Sequence, residues 1–142
     1  MKPLIKICGI KDFNTLNQLI ELEEIDFIGF IFFEKSPRNV PNDFLNKVNG
    51  VNLQNKRAVC VYVDAAKEFI QQTSSNFENP ILQFHGNESN DFCKSFNKDF
   101  WKVIRVKDSN QIQNQFLHVD LLCNSQIKLQ THRDNQMLYL CY

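Results

Sequence analysis

Cys8 is the first residue whose type and place could do chemistry. It ends the run Leu4-Ile5-Lys6-Ile7-Cys8 and is followed by Gly9, and the carboxyl end of a buried strand is where α/β folds open their ligand crevice. A thiolate there could accept a proton, provided the site favours the anion over the thiol. Taken alone, the same position suits a small core residue, because free cysteine is among the most buried residue types. Arg38, in Ser36-Pro37-Arg38-Asn39-Val40, carries the planar guanidinium suited to a two-pronged grip on a carboxylate. By itself it also reads as a solvated loop arginine, with Ser36 and Pro37 shaping the turn. His85 closes the run Leu82-Gln83-Phe84-His85 ahead of Gly86; glycine permits a tight exit there, and the imidazole could touch a ligand. A lone histidine is more often a hydrogen-bonded structural residue.

Such residues need elements to hold them at one end of a fold. Short apolar runs at 4–8, 27–32, 58–63, 81–84 and 101–106 alternate with longer stretches of helical period, the pattern of parallel strands joined by crossover helices. Most of these runs have no polar face, as strands covered on both sides require. Between them Asp12 is expected to cap a helix burying Phe13, Leu16, Leu19, Ile20 and Leu22. Pro41-Asn42-Asp43 is expected to start a second, with Phe44, Leu45 and Val48 inward. Helices are further expected over 65–73 with Phe69 and Ile70, 89–96 with Phe92 and Phe96, and 109–116 with Ile112 and Phe116. A sixth strand is expected over 117–123, after which 124–142 shows no glycine and no clear period.

Composition narrows the function class. With 16 Lys and Arg against 16 Asp and Glu, interspersed rather than blocked, the chain has no basic stripe able to release counterions from a nucleic-acid backbone. No window approaches the roughly 18 apolar residues of a membrane span, and the first residues lack a signal-peptide pattern. A cytoplasmic address and a small-molecule ligand are the expectation, with no nucleic acid and no membrane. Five cysteines, an odd number without a CxxC pair, indicate neither a disulfide framework nor a zinc site.

Four segments taken in order resemble the phosphoribosylanthranilate isomerase family of tryptophan biosynthesis: Lys6-Ile7-Cys8-Gly9-Ile10, Ile28-Gly29-Phe30-Ile31-Phe32, Ser36-Pro37-Arg38 and Gln83-Phe84-His85-Gly86. Ala58-Val59-Cys60-Val61-Tyr62-Val63-Asp64 and Trp101-Lys102-Val103-Ile104-Arg105-Val106 are similar to that family's third and fifth strands. The resemblance implies an α/β fold, a parallel (β/α) barrel of the TIM type, with five to six of the eight units supplied over residues 1–120 and a tail without family pattern over 121–142. It also implies an Amadori rearrangement of a phosphorylated substrate, without metal or organic cofactor. Cys8 would be the general base, Arg38 would face the anthranilate carboxylate, and His85 would line the substrate site.

The family's general acid is an aspartate where this chain places Asn124, and an amide cannot deliver a proton as a carboxylic acid does. Asp120 stands too early in the motif to inherit the role. The family's glycine-rich phosphate loops are also expected to be absent, because the last glycine is Gly86. Two origins fit such a short form, a reading frame shifted near residue 120 or a variant that closes by pairing with another chain. The chain alone is therefore expected to isomerise poorly and to self-associate through open sheet edges beside Val103, Ile104 and Val106. The rival readings are a non-catalytic barrel fragment or interaction module, and a small doubly wound ligand-binding domain. The second lacks a Gly-rich fingerprint after the first strand.

Overall fold

The computed structural model describes residues 4–106, 127–132 and 135–141. The first part is a βα repeat: β1 (Lys6–Cys8), α1 (Phe13–Ile20), β2 (Phe27–Phe32), α2 (Asn42–Val48), β3 (Arg57–Tyr62), α3 (Lys67–Ser74), β4 (Ile81–Phe84), α4 (Asn90–Lys94) and β5 (Phe100–Val106). The five strands pair in parallel in chain order. The first five expected strands are present, with their ends moved by two residues at most. The helix expected over 109–116 and the strand over 117–123 lie outside the described residues.

Period-two alternation divides the strands between two cores. Ile28, Phe30, Phe32, Ala58, Cys60, Tyr62, Leu82, Phe84 and Phe100 face the helices, whereas Ile31, Val59, Val61 and Ile81 form a separate inner cluster with Cys8, Phe27 and Trp101 packed on it. Contacts across that inner face show how far the sheet curls. Phe27 on β2 and Trp101 on β5 are three strand positions apart, about 14 Å along a flat sheet, yet their rings meet edge-on with centroids 5.1 Å apart. The Lys6 ammonium of β1 likewise hydrogen-bonds the Gln83 side chain of β4. A sheet bent this tightly is a wall of a barrel.

Helix ends follow the local chemistry. Asp12 Oδ1 accepts from the Thr15 N–H at 2.8 Å and its Oδ2 from the Thr15 hydroxyl at 2.9 Å, which fixes the start of α1. These bonds favour the carboxylate and hold the Asp12 acid below its ordinary range. Ser89 caps α4 in the same way, accepting from the Phe92 N–H at 3.2 Å. Leu16, Leu19 and Ile20 are buried as their spacing requires. Burial stabilises each by about 1.5–3 kcal/mol.

Leu22 departs from its expected place and is 46% exposed. The helix stops at Ile20, so the 3.6-residue period no longer carries the chain inward, and Ile25 enters the core instead. Phe69 is also exposed, at 43%, and meets Phe32 and Tyr62 only in edge-to-face geometry, while Ile70 is buried.

Two differences concern the sheet edges. The edge of β5 is not open: β7 (Asn135–Cys141) pairs with it antiparallel, with Val103 opposite Tyr139, Ile104 opposite Leu138 and Val106 opposite Gln136. β6 (Ile127–His132) pairs with β7 in turn, His132 opposite Asn135, so the segment without clear period forms a hairpin. Alternation in Ile127-Lys128-Leu129-Gln130 is enough for an antiparallel strand once a partner edge is available. β1, by contrast, is an edge strand whose Ile7 is 37% exposed, so this apolar run is not covered on both sides. Among the described residues no helix is long and apolar enough to cross a membrane.

Candidate active site

β1 delivers Cys8 to the carboxyl end of the sheet, opposite Gly29 in register. The missing side chain at Gly29 makes room for it. A Cβ there would sit 2.6 Å from the Cys8 sulfur and 2.9 Å from Lys6 Cε, so the thiol and the lysine stem share the space over one glycine. After Cys8 the backbone turns at Gly9, whose φ of +93° suits glycine. The Gly9 and Ile10 amides both donate to the Gly29 carbonyl, at 2.9 and 3.0 Å, holding the exit of β1 against β2.

The loop after β2 folds back over that exit. Ser36 N–H donates to the Phe33 carbonyl at 2.8 Å, Asn39 Oδ1 accepts from the Phe33 N–H at 2.8 Å, and the Val40 N–H returns to the Ile31 carbonyl at 2.8 Å. Lys11 Nζ donates to the Pro37 carbonyl at 2.9 Å. Arg38 is thereby laid on Gly9, where a Cβ would meet its Cδ at 2.7 Å, and its Nη1 donates to the Cys8 carbonyl at 3.0 Å. An exposed guanidinium is thus joined to the backbone of a cysteine thirty positions away in the chain.

His85 leaves β4 at the same end of the sheet, half-buried, its N–H donating to the Tyr62 carbonyl at 2.9 Å. A clamp behind it holds the turn. Asp64 Oδ1 accepts from the Asn87 N–H at 2.6 Å while a Glu88 carboxylate oxygen accepts from the Asp64 N–H at 2.8 Å. Lys102 Nζ donates to the other Glu88 oxygen and to the Gly86 carbonyl, both at 3.0 Å. A Cβ on Gly86 would collide with the Asp64 carboxylate, so glycine is needed for this close approach. Asn124 lies outside the described residues.

Lys6, Gln83 and Trp101 complete the inner wall, and sequence reasoning missed all three as site residues. The Lys6 ammonium hydrogen-bonds Gln83 Oε1 and stands 5.7 Å from the centre of the Trp101 ring, a cation over an aromatic face. Burial pulls the Lys6 ammonium down from its ordinary value, the Cys8 and Cys60 thiols oppose that, and Arg38 adds to it. A signal existed in the sequence: Lys6 and Gln83 are single polar residues inside otherwise apolar strands. Cys60 and Cys93, buried among apolar side chains, are pushed up to about 12 and about 11 and stay protonated thiols at neutral pH.

The family model for N-(5'phosphoribosyl)anthranilate (PRA) isomerase matches residues 5–126. An isomerase of that name from Legionella pneumophila (strain Paris) is 36% identical over 110 residues, which cover 78% of this chain and 53% of the relative. Its counterpart from Nitrosomonas europaea is 34% identical over 108 residues, 76% of this chain and 51% of the relative. The chain thus spans about half the length of the curated relatives it matches. Among solved structures, phosphoribosyl anthranilate isomerase from Thermotoga maritima superposes with a TM-score of 0.69 at 22% identity, over 81% of this chain and 57% of that one. A structure of the isomerase in complex with reduced 1-(o-carboxyphenylamino)-1-deoxyribulose 5-phosphate gives a TM-score of 0.69 at 22% identity, over 81% of this chain and 60% of that one.

Proposed function

Because the chain belongs to the N-(5'-phosphoribosyl)anthranilate isomerase family, we propose that it carries the proton-accepting and carboxylate-binding part of an isomerase site acting on N-(5-phosphoribosyl)anthranilate in tryptophan synthesis. The observation that carries this reading is the placement of Cys8 at the mouth of the curled sheet with the Arg38 guanidinium 3.0 Å from its carbonyl oxygen. An acid opens the ribose ring to a protonated imine. The Cys8 thiolate then takes the C2 proton, and the resulting enolamine tautomerises to the ketone, 1-(2-carboxyphenylamino)-1-deoxyribulose 5-phosphate. Arg38 grips the anthranilate carboxylate, and His85 lines the substrate.

Residues 1–120 belong to the partial barrel and 121–142 to a tail of different pattern in this proposal. Asn124 stands where the acid belongs, so the chain on its own isomerises slowly. The reading is tested in the chain as it stands and in a chimera joined after Val106 to the remaining segment of the Legionella pneumophila relative, following loss of substrate fluorescence. Turnover in the chimera supports the reading; none in either protein, with the chimera folded, overturns it.

A guanidinium grips a carboxylate through fixed N–H donors, so Arg38 acts in this proposal by binding and not by transferring protons. In the chimera Arg38→Ala raises KM by roughly 10- to 100-fold, the worth of a hydrogen bond between charged groups, with kcat changed far less. A collapse of kcat at unchanged KM would remove the carboxylate grip.

Self-association belongs to the same proposal, at a different edge from the one the sequence suggested. β5 is paired, whereas β1 is an outer strand of the described sheet with Leu4, Ile5 and Ile7 exposed, and such edges template pairing with a second copy. Light scattering is expected to give a mass above the 16.7 kDa of one chain, and Ile7→Lys to return it toward that value. A monomer across the working concentration range sinks this part. A cytoplasmic location is included in the proposal.

A further inference from the structure

We infer that Lys6 is a positioning residue for Cys8: its ammonium, held inside the curl of the sheet by Gln83 and the Trp101 face, favours the thiolate that proton abstraction needs. The inference rests on the reading of Cys8 as the proton acceptor and adds the group that makes the thiol competent. Lys6 itself exchanges no proton. In the step it supports, the substrate C2–H bond breaks, the proton goes to Cys8 Sγ, and the electron pair moves into the enolamine.

The geometry leaves few other duties for this ammonium. Lys6 and Cys8 are two residues apart on one strand, so both side chains point to the same face, and both lie over Gly29. Gln83, the hydrogen-bonding partner across the interior, is neutral and itself buried. The ion pairs among the described residues, Arg57 with Asp99 and Lys102 with Glu88, do not involve Lys6.

A partly buried cation with a neutral hydrogen-bond partner is costly to keep, and an anion beside it relieves that cost. The titratable and charged groups that act on Lys6 are Cys8 on its own strand, Arg38 from the loop after β2 and, from the helix-facing side of β3, Cys60. Arg38 is a second cation. Cys60 is held as a neutral thiol by its burial, which leaves Cys8 as the group able to supply the negative charge. Burial pulls the Lys6 ammonium down, and Cys8 beside it over Gly29 pushes it back up.

The test reads the thiolate rather than turnover. The 142-residue chain is treated with iodoacetamide at pH 7 and at pH 9.5, and alkylation of the Cys8 peptide is timed by mass spectrometry, which separates it from the other four cysteines. Lys6→Met is expected to slow alkylation at pH 7 by about tenfold, the effect of one unit of proton affinity. Most of that loss is recovered at pH 9.5, where the thiol ionises without help. Lys6→Arg, which keeps the charge, stays nearer the unmodified chain.

An unchanged rate at pH 7, or the same loss at both pH values, overturns the inference, because altered access to the sulfur would not depend on pH. Where Lys6→Met fails to fold, Lys6→Gln retains an amide for Gln83 and loses only the charge, and the same readings apply. Turnover of Cys8→Ser in the chimera judges the proton-acceptor reading independently. An active serine variant would end that reading while leaving the alkylation result to score Lys6.

Discussion

Cys8→Ser in the chimera is expected to lower kcat by about 10²–10⁴-fold, the usual contribution of a positioned general base, while KM changes by less than about threefold. A serine hydroxyl is nearly isosteric with the thiol, so the packing over Gly29 survives and the Arg38 contact to the residue-8 carbonyl is untouched. What is lost is the ionisable sulfur. The hydroxyl stays protonated at neutral pH, and no neighbouring base within the described wall of Lys6, Gln83 and Trp101 takes its proton. Steady-state fluorescence kinetics on both proteins at several pH values checks this. A serine variant turning over at a rate near that of the unmodified chimera would remove Cys8 from the chemistry and leave Arg38 as a binding residue without its partner.

The second large effect is on stability. Phe84→Ala is expected to destabilise the chain by about 3–5 kcal/mol, the range for truncating a buried aromatic ring. Phe84 has no exposed surface and is the centre of the outer aromatic cluster, with ring centroids of Tyr62, Phe92, Phe96 and Phe100 between 5.9 and 6.3 Å away. These four come from β3, α4, the turn after α4 and β5, so a cavity there cannot be closed by moving one element alone. Urea unfolding of the two proteins at one protein concentration measures the difference, since association would otherwise shift the midpoints. A loss below about 1 kcal/mol would mean that the cluster collapses to fill the space, contrary to its tight packing.

Phe84 also shows why the two expected effects differ in kind. Its side chain faces the helices, while His85, the next residue, begins the turn that the Asp64, Glu88 and Lys102 clamp fixes. Damage to the core loosens that turn indirectly. Loss of the Cys8 sulfur removes the proton acceptor of the proposed mechanism and leaves the fold in place.

The legible part of this protein was local. A strand covered on both faces must be apolar at every position, so β2, β3 and β4 announce themselves as continuous runs, and their ends follow. Asp12 and Ser89 mark helix starts because a cap needs only a side-chain oxygen three residues before an amide. Once strands run parallel, their carboxyl ends lie on one side, so the shared placement of Cys8, Arg38 and His85 needed little more than the order of elements.

What the sequence did not reveal depends on the curl of the sheet and on partners distant in the chain. Whether Lys6 points at solvent or at Gln83 is undecided until β1 and β4 face each other across the interior, a contact spanning 77 positions. Leu22 matched the period of α1, but the helix ended before the period could be used. Ile127 to Cys141 carried too weak an alternation to read as strands alone, and became a hairpin because the edge of β5 offered it hydrogen bonds. The sequence by itself determined the repeat, the caps and the end of the sheet at which Cys8, Arg38 and His85 gather, since each rests on neighbours in the chain. Only the tertiary structure decided which side chains meet Cys8, since curvature is a property of the whole sheet.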